Sequence, residues 1–182
     1  MQLWLVRHAQ PLVPPGVCYG ALDVPADAQA TQACAERLAQ ALPQAALVRC
    51  SPLQRCEQLR KILLGLRPDL ASKTDPRLAE MAFGSWEGQA WEAIGQPAID
   101  AWVANFGHHR PGGGESAHAV LQRVGAALQD TQADNGVWLT HAGVIRAANL
   151  WLAGVRDVPN AAAWPAHAPA FGQWQTLQVL YL

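Results

Sequence analysis

The sequence predicts an α/β fold built on a doubly wound sheet, and three observations carry that reading. Short apolar runs recur at Leu3–Val6, Ala45–Val48 and Val137–Thr140, each read as a buried strand. Stretches of helical spacing follow them. Polar or charged residues stand where the first and third runs end: Arg7 and His8 after the first, His141 after the third. In open α/β sheets, ligands bind at the carboxyl ends of strands. Those polar ends are therefore the first place to look for chemistry.

Composition sets bounds. The 182 residues suffice for one domain with a sizeable core. Half the chain is hydrophobic and 15% is charged, which excludes a disordered polymer. Thirteen Lys plus Arg face fourteen Asp plus Glu, a net charge of −1. That balance offers no electrostatic footprint for nucleic acid or an anionic membrane. No apolar run approaches the roughly 18 residues that span a bilayer, and no signal-peptide pattern opens the chain. Cys18, Cys34, Cys50 and Cys56 form no C-x-x-C pair, so reduced thiols in a cytoplasmic protein are expected. Four residues separate Cys50 from Arg55, one short of the C-x5-R loop of cysteine phosphatases.

The elements follow in order. Residues 11–25 are a loop punctuated by Pro11, Pro14, Pro15, Gly16, Gly20 and Pro25, with Tyr19 and Gly20 close to the first strand's end. A helix is expected from Asp27 to Leu42, where Ala30, Ala33, Cys34, Leu38 and Ala41 keep helical spacing and Pro43 stops the run. After the strand at 45–48, Ser51 reads as an N-cap, Pro52 as the first helical residue and Gln54 as the partner in a capping box. That helix runs to about Leu64, with Gly65 ending it. Arg55 falls in its first turn, where the helix dipole disfavours a cation. Pairing with Glu36 or Glu57 is the bland explanation, and an anion site the alternative.

Residues 66–76 read as a connection, and 78–88 as a mixed segment and turn carrying Glu80 and Glu87. Trp91 to Phe106 is loosely amphipathic, with Gly95 and Pro97 placed to split it. Gly107 to Gly114 is an irregular loop, in which His108 and His109 read as exposed rather than as metal ligands. Glu115 to Asp130 is the clearest helix. Asn135-Gly136 signals a turn before the third strand, and Val144 to Ala153 a helix after it. Residues 173–182 alternate as an edge strand. The eight tryptophans form no stacking stripe and read as core or pocket wall.

Gathered at one crevice, Arg7, His8, Arg55, Glu80 and His141 suit phosphoryl chemistry. Arginine forks match phosphate oxygens. A neutral imidazole attacks phosphorus when its other nitrogen donates to a fixed acceptor. A carboxyl group whose pKa is raised by burial protonates the leaving oxygen. A metal centre made of His8, His141 and Glu80 is the rival, and two adjoining arginines oppose it.

These residues resemble a known family. Leu-Val-Arg7-His8-Ala-Gln resembles the Arg-His-Gly signature of the histidine phosphatase, or phosphoglycerate mutase-like, superfamily. Ser51-Pro52-Leu53-Gln54-Arg55, the segment around Glu80, Pro111 to Ser116 and Thr140 to Arg146 resemble its further segments in order. The resemblance implies a three-layer α/β/α sandwich with a mostly parallel central sheet, one histidine phosphatase domain over residues 1–182. It implies His8 as nucleophile, Arg7, Arg55 and His141 as phosphate ligands, and Glu80 as proton donor, with no metal or organic cofactor. The implied substrate is a small phosphomonoester, with Gln10, Tyr19, Gly20 and Glu115 expected at its rim. Cys18-Tyr19-Gly20, the short chain and Thr140 to Arg146 look most like the α-ribazole phosphatase branch of cobalamin biosynthesis. Phosphoglycerate mutase-like transfer and a weakly catalytic phosphate-binding module are the alternatives. Ala9 replaces the signature glycine, tolerable at negative φ. Residues 10–19 lack the Asn that donates to phosphate in many members, so Gln10 or a backbone N–H is expected to substitute.

Overall fold

The computed structural model describes residues 1–131 and 133–179. Five strands form one mixed sheet: β1 (Gln2–Arg7), β2 (Leu47–Cys50), β3 (Ala71–Thr74), β4 (Asn135–Thr140) and β5 (Trp174–Gln178). Their order across the sheet is β3-β2-β4-β1-β5. All neighbours are parallel except β5, which lies antiparallel on the β1 edge. Among the described residues six α-helices surround it: α1 (Ala28–Ala41), α2 (Gln54–Leu66), α3 (Trp91–Ile94), α4 (Gln96–Ala104), α5 (Ala117–Gln129) and α6 (Ala142–Leu152).

The strand period of two divides the apolar residues between two cores. Leu3 and Leu5 of β1 and Trp138 of β4 face Val120, Leu121 and Val124 of α5 and Val144 and Ile145 of α6. Val6 of β1 and Val137 and Leu139 of β4 face Leu38 of α1 and Leu59 and Leu63 of α2. The result is the expected α/β/α sandwich. Each fully buried leucine contributes about 1.5–3 kcal/mol relative to its exposed state.

Several boundaries differ from the sequence reading. β2 begins at Leu47, because Ala45 takes a left-handed φ of 55°, and it extends to Cys50 through pairing with β3 and β4. β3 lies inside the expected connection at 66–76; its sequence, Ala-Ser-Lys-Thr, is mostly exposed and shows no apolar alternation. α2 starts two residues after Pro52, with extended Leu53 before it. Ser51 does not cap it. The first N–H of the helix, on Gln54, donates instead to Asp23 Oδ1 at 2.7 Å. Gly65 sits within α2 rather than after it. α5 starts at Ala117, capped by Ser116, rather than at Glu115. Asn135 and Gly136 belong to β4 rather than to a turn, and α6 begins at Ala142. The Trp91–Phe106 stretch splits at Gly95, whose φ is 86°. Residues 180–182 of the expected last strand lie outside the described residues.

Three of the tryptophans, Trp86, Trp91 and Trp102, cluster despite their uneven spacing. Trp102 stacks on Trp91, with ring centroids 6.3 Å apart, and on Phe106 at 5.4 Å. Phe83 meets both Trp91 and Trp102 edge-on. Side chains of the 83–106 region thus form their own aromatic knot.

A buried ion-pair network fixes the route from β3 toward Glu80. Arg49 of β2 is 2% exposed and donates to Asp75 Oδ2 at 3.3 Å and to the α5 carbonyl of Ala127 at 3.2 Å. It also donates to the Asp130 carbonyl. Arg77, one-third exposed, holds the same Asp75 carboxylate from the other side. Burial pushes the Asp75 carboxyl up, but the two arginines outweigh it and leave the pKa below the ordinary range. Removing Arg49 takes from Asp75 its buried partner and leaves the Asp130 carbonyl without that donor, whereas water can take the place of the more exposed Arg77. Arg49→Ala is therefore expected to cost about 3 kcal/mol in urea unfolding, and Arg77→Ala about 1 kcal/mol. A loss for Arg49→Ala no greater than for Arg77→Ala would refute this ranking.

Candidate active site

Parallel register builds the site. Arg7 pairs with Thr140, so the residues after them, His8 and His141, emerge side by side. Cys50 pairs with Leu139, which places Ser51 beside the same exit. Two hydrogen bonds carry the ladder one step further: His8 N–H donates to the Thr140 carbonyl at 3.1 Å, and Ser51 N–H to the Leu139 carbonyl at 3.0 Å. The imidazole centroids of His8 and His141 end 5.0 Å apart.

The tautomers follow from the partners. His8 Nδ1 lies 2.7 Å from the Ala9 carbonyl, which only accepts, so Nδ1 carries the proton and Nε2 the lone pair. Ala9 is buried, and its φ is not positive, as the expected tolerance of its methyl requires. His141 Nδ1 accepts from Arg55 Nε at 3.3 Å, and a guanidinium only donates. His141 Nε2–H then donates to Ser51 Oγ at 2.7 Å. Both imidazoles are held neutral. Burial first, then Arg55, pushes the His8 pKa down to about 3. Burial, then His8 and Arg55, holds His141 well below its usual value.

Arg55 is fully buried and pairs with neither Glu36 nor Glu57. Its Nη1 donates to the Leu22 carbonyl at 2.8 Å and its Nη2 to the Gly20 carbonyl at 2.7 Å. Three of its five N–H groups are thereby engaged, one each on Nε, Nη1 and Nη2. Arg7 donates from Nη1 to the Pro169 carbonyl at 2.9 Å and lies over the Phe171 ring, 3.8 Å from its centroid. Its Nε–H is buried without a partner among the described residues, a donor that suits an anionic ligand. Glu80 reaches the cluster through backbone donors. Its Oε1 accepts from Met81 N–H at 3.0 Å, and its Oε2 from Gly143 N–H, in the first turn of α6, at 3.1 Å. A Cβ on residue 143 would stand 2.2 Å from Glu80 Oε1, so glycine is required for that approach.

The expected rim residues divide. Tyr19 joins the site, with the Arg55 guanidinium 5.8 Å from its ring centroid. Gly20 is buried and serves through its carbonyl; a Cβ there would fall 1.8 Å from the Met81 carbonyl. Gln10 is exposed, and its carbonyl accepts from Asp27 N–H. Glu115 is committed elsewhere, in a two-pronged ion pair with Arg123 at 2.6 and 2.9 Å.

Three site residues, Ser51, Phe171 and Arg146, escaped the sequence reading. Ser51 orients His141, although its spacing suggested a cap. Phe171 lies in an irregular, proline-flanked stretch and touches both Arg7 and His8, the latter with centroids 5.5 Å apart. Glu87, a candidate acid in the sequence beside Glu80, accepts from Ala21 and Phe83 N–H and so ties the 18–22 loop to the Glu80 segment. Arg146 carries a buried, unpartnered Nε–H and adds to the positive potential at Arg7.

Comparisons with known proteins place this geometry. The model of the histidine phosphatase superfamily (branch 1) matches residues 3–170. No match was found among curated proteins. Among solved structures, TTHB049 from Thermus thermophilus is 31% identical, with a TM-score of 0.71 over 97% of this chain and 93% of that one. A mycobacterial glucosyl-3-phosphoglycerate phosphatase is 25% identical, with a TM-score of 0.76 over 96% and 88%. The same phosphatase with inorganic phosphate gives 25% and 0.77 over 97% and 89%.

The neutral histidines have a measurable consequence. Below about pH 6.5 the unfolded chain binds imidazole protons that the folded chain refuses. The stability they confer is complete above that pH and declines as pH falls toward the folded value of about 3 for His8. Ring resonances of His8 and His141 are expected to hold their neutral shifts as pH is lowered from about 8 to about 4. A midpoint near 6.5 for either ring would contradict the assigned environment.

Proposed function

The chain belongs to the histidine phosphatase superfamily, branch 1, and from that premise we propose that it hydrolyses a small phosphomonoester through a phosphohistidine on His8. The observation that carries the reading is the His8 Nδ1–H bond to the Ala9 carbonyl, which leaves an unprotonated Nε2 among arginines. In the proposed first step Nε2 attacks phosphorus and the bond to the ester oxygen breaks. Glu80 delivers the proton that the departing alkoxide needs. Arg7, through its buried Nε–H, and Arg55, through its two uncommitted N–H groups, hold the non-bridging oxygens. In the second step water attacks phosphorus, Glu80 takes its proton, and the N–P bond breaks to release phosphate and neutral His8. His141 contacts the phosphoryl group only if Ser51 yields its Nε2–H, so its proposed part includes orienting the Arg55 Nε.

The finer reading names α-ribazole 5′-phosphate and thus cobalamin biosynthesis. Cys18-Tyr19-Gly20 and the Thr140–Arg146 segment support it, as does the aromatic knot. Phe83 of that knot lies against Gly20, whose carbonyl Arg55 binds, so an aromatic aglycone has apolar surface close to the arginine. Similarity to a glucosyl-3-phosphoglycerate phosphatase favours a phosphorylated glycerate as the second reading. The proposal treats residues 1–182 as one catalytic domain in the cytoplasm, supported by four free buried thiols. Among the described residues no helix is long and apolar enough to cross a membrane.

Turnover of α-ribazole 5′-phosphate, a phosphorylated glycerate and p-nitrophenyl phosphate by wild type and by His8→Ala tests the reading. Wild type is expected to turn over at least one ester in EDTA, and His8→Ala to lose more than about 1,000-fold. Equal, negligible rates from both would establish a binding module instead. Glu80→Gln should lose about 100-fold on alkyl esters and far less on p-nitrophenyl phosphate, whose leaving group barely needs a proton. An equal loss on both would remove Glu80 as proton donor.

A further inference from the structure

A second group of side chains lies outside the active site. His108 follows α4, His118 lies in the first turn of α5, and Asp157 follows α6. Asp157 Oδ1 is 3.0 Å from His118 Nδ1 and 3.4 Å from His108 Nε2. One ligand atom from each of the three residues falls within 4.8 Å of the others. We propose that His108, His118 and Asp157 form a zinc site that clips the loop after α4 to the start of α5 and to the segment after α6.

The spacing fits the ion. Zinc bonds nitrogen and carboxylate oxygen at about 2.0–2.2 Å in tetrahedral geometry, so its ligand atoms stand about 3.3–3.5 Å apart. The two Asp157 distances are already near that value. Two imidazoles and one carboxylate are a borderline donor set that favours zinc over calcium or magnesium, which take oxygen ligands. Partial exposure of all three side chains leaves the fourth position to solvent.

Hydrogen bonding leaves His108 out of the cluster, since of the two imidazoles only His118 is bonded to Asp157 Oδ1. Asp157 Oδ1 also accepts from Val158 N–H at 2.9 Å. Both lone pairs of that oxygen are then taken, and His108 Nε2 stands 3.4 Å away without a hydrogen bond to it. A cation between the three side chains would take a lone pair from each imidazole nitrogen and so bring His108 into the cluster. The backbone holds the ligands in place beforehand. His118 N–H donates to the Gly107 carbonyl at 2.8 Å, and His108 N–H to the Asn105 carbonyl at 3.1 Å. Gly107 packs so close to Val158 that a Cβ would lie 1.9 Å from its carbonyl oxygen. Three segments distant in sequence therefore meet at fixed positions, which lowers the ordering cost of binding. The sequence reading set His108 aside because its neighbour His109 cannot share the site; the partner comes from α5 instead.

Calorimetric titration of zinc chloride into metal-stripped protein tests the proposal. It is done in His8→Ala, so that His8, His141 and Glu80 offer no competing set. One zinc per chain is expected, with a rise in thermal midpoint on saturation. His108→Ala and Asp157→Ala should each weaken binding by about 100-fold or more and abolish the rise, whereas His109→Ala should change neither. Both key positions lie in loops, and unchanged circular dichroism shows that the variants fold. Undiminished zinc affinity in His108→Ala or Asp157→Ala, or no zinc uptake by the parent, would overturn the assignment.

Discussion

The parallel pairing of β4 with β1 on one side and β2 on the other sets everything at the active end of this molecule. Arg7 opposite Thr140, and Cys50 opposite Leu139, leave no freedom in where His8, His141 and Ser51 emerge. A slip of one residue would turn both histidines to the wrong face of the sheet, since side chains alternate. The register is enforced by burial on both faces: Leu5 and Trp138 belong to one core, Val6 and Leu139 to the other. Core packing and site geometry are thus one constraint.

That placement makes the electrostatics. Two histidines buried beside arginines resist protonation, since each added proton would meet both a desolvation penalty and like charge. The same arginines favour a dianion. In the proposed reaction, a neutral nucleophile in a cationic pocket keeps its lone pair while an anionic substrate is drawn in. The acceptors that freeze the tautomers are the Ala9 carbonyl for His8 and Ser51 Oγ for His141. Glu80 is fixed by backbone N–H groups, one of which demands glycine at position 143.

Much of this was legible in the residues. The strands that carry His8 and His141 announce themselves as apolar runs, and the helices that cover them keep helical spacing. Arg55 stood out because a cation in a first helical turn is unfavourable. What escaped depends on contacts distant in sequence. β3 is a polar edge strand with no alternation to detect. Ser51 matched a capping pattern, but His141 claims its hydroxyl and Asp23, from a loop, takes over at the helix start. Phe171 sits in an irregular stretch where spacing carries no signal. Glu115, expected at the rim, is claimed by Arg123 two turns along α5. His108 found its partners on another helix and another loop.

The central claim is that His8 attacks through Nε2 because Nδ1 is bound to the Ala9 carbonyl. Rapid alkaline quenching of a turnover mixture with radiolabelled phosphate ester, followed by proteolysis and nuclear magnetic resonance of the phosphopeptide, locates the phosphoryl group atom by atom. Acid-labile, base-stable phosphate on Nε2 of His8, absent from His8→Ala, is the expected result. Phosphate on Nδ1, or label that persists when His8 is alanine, would contradict it.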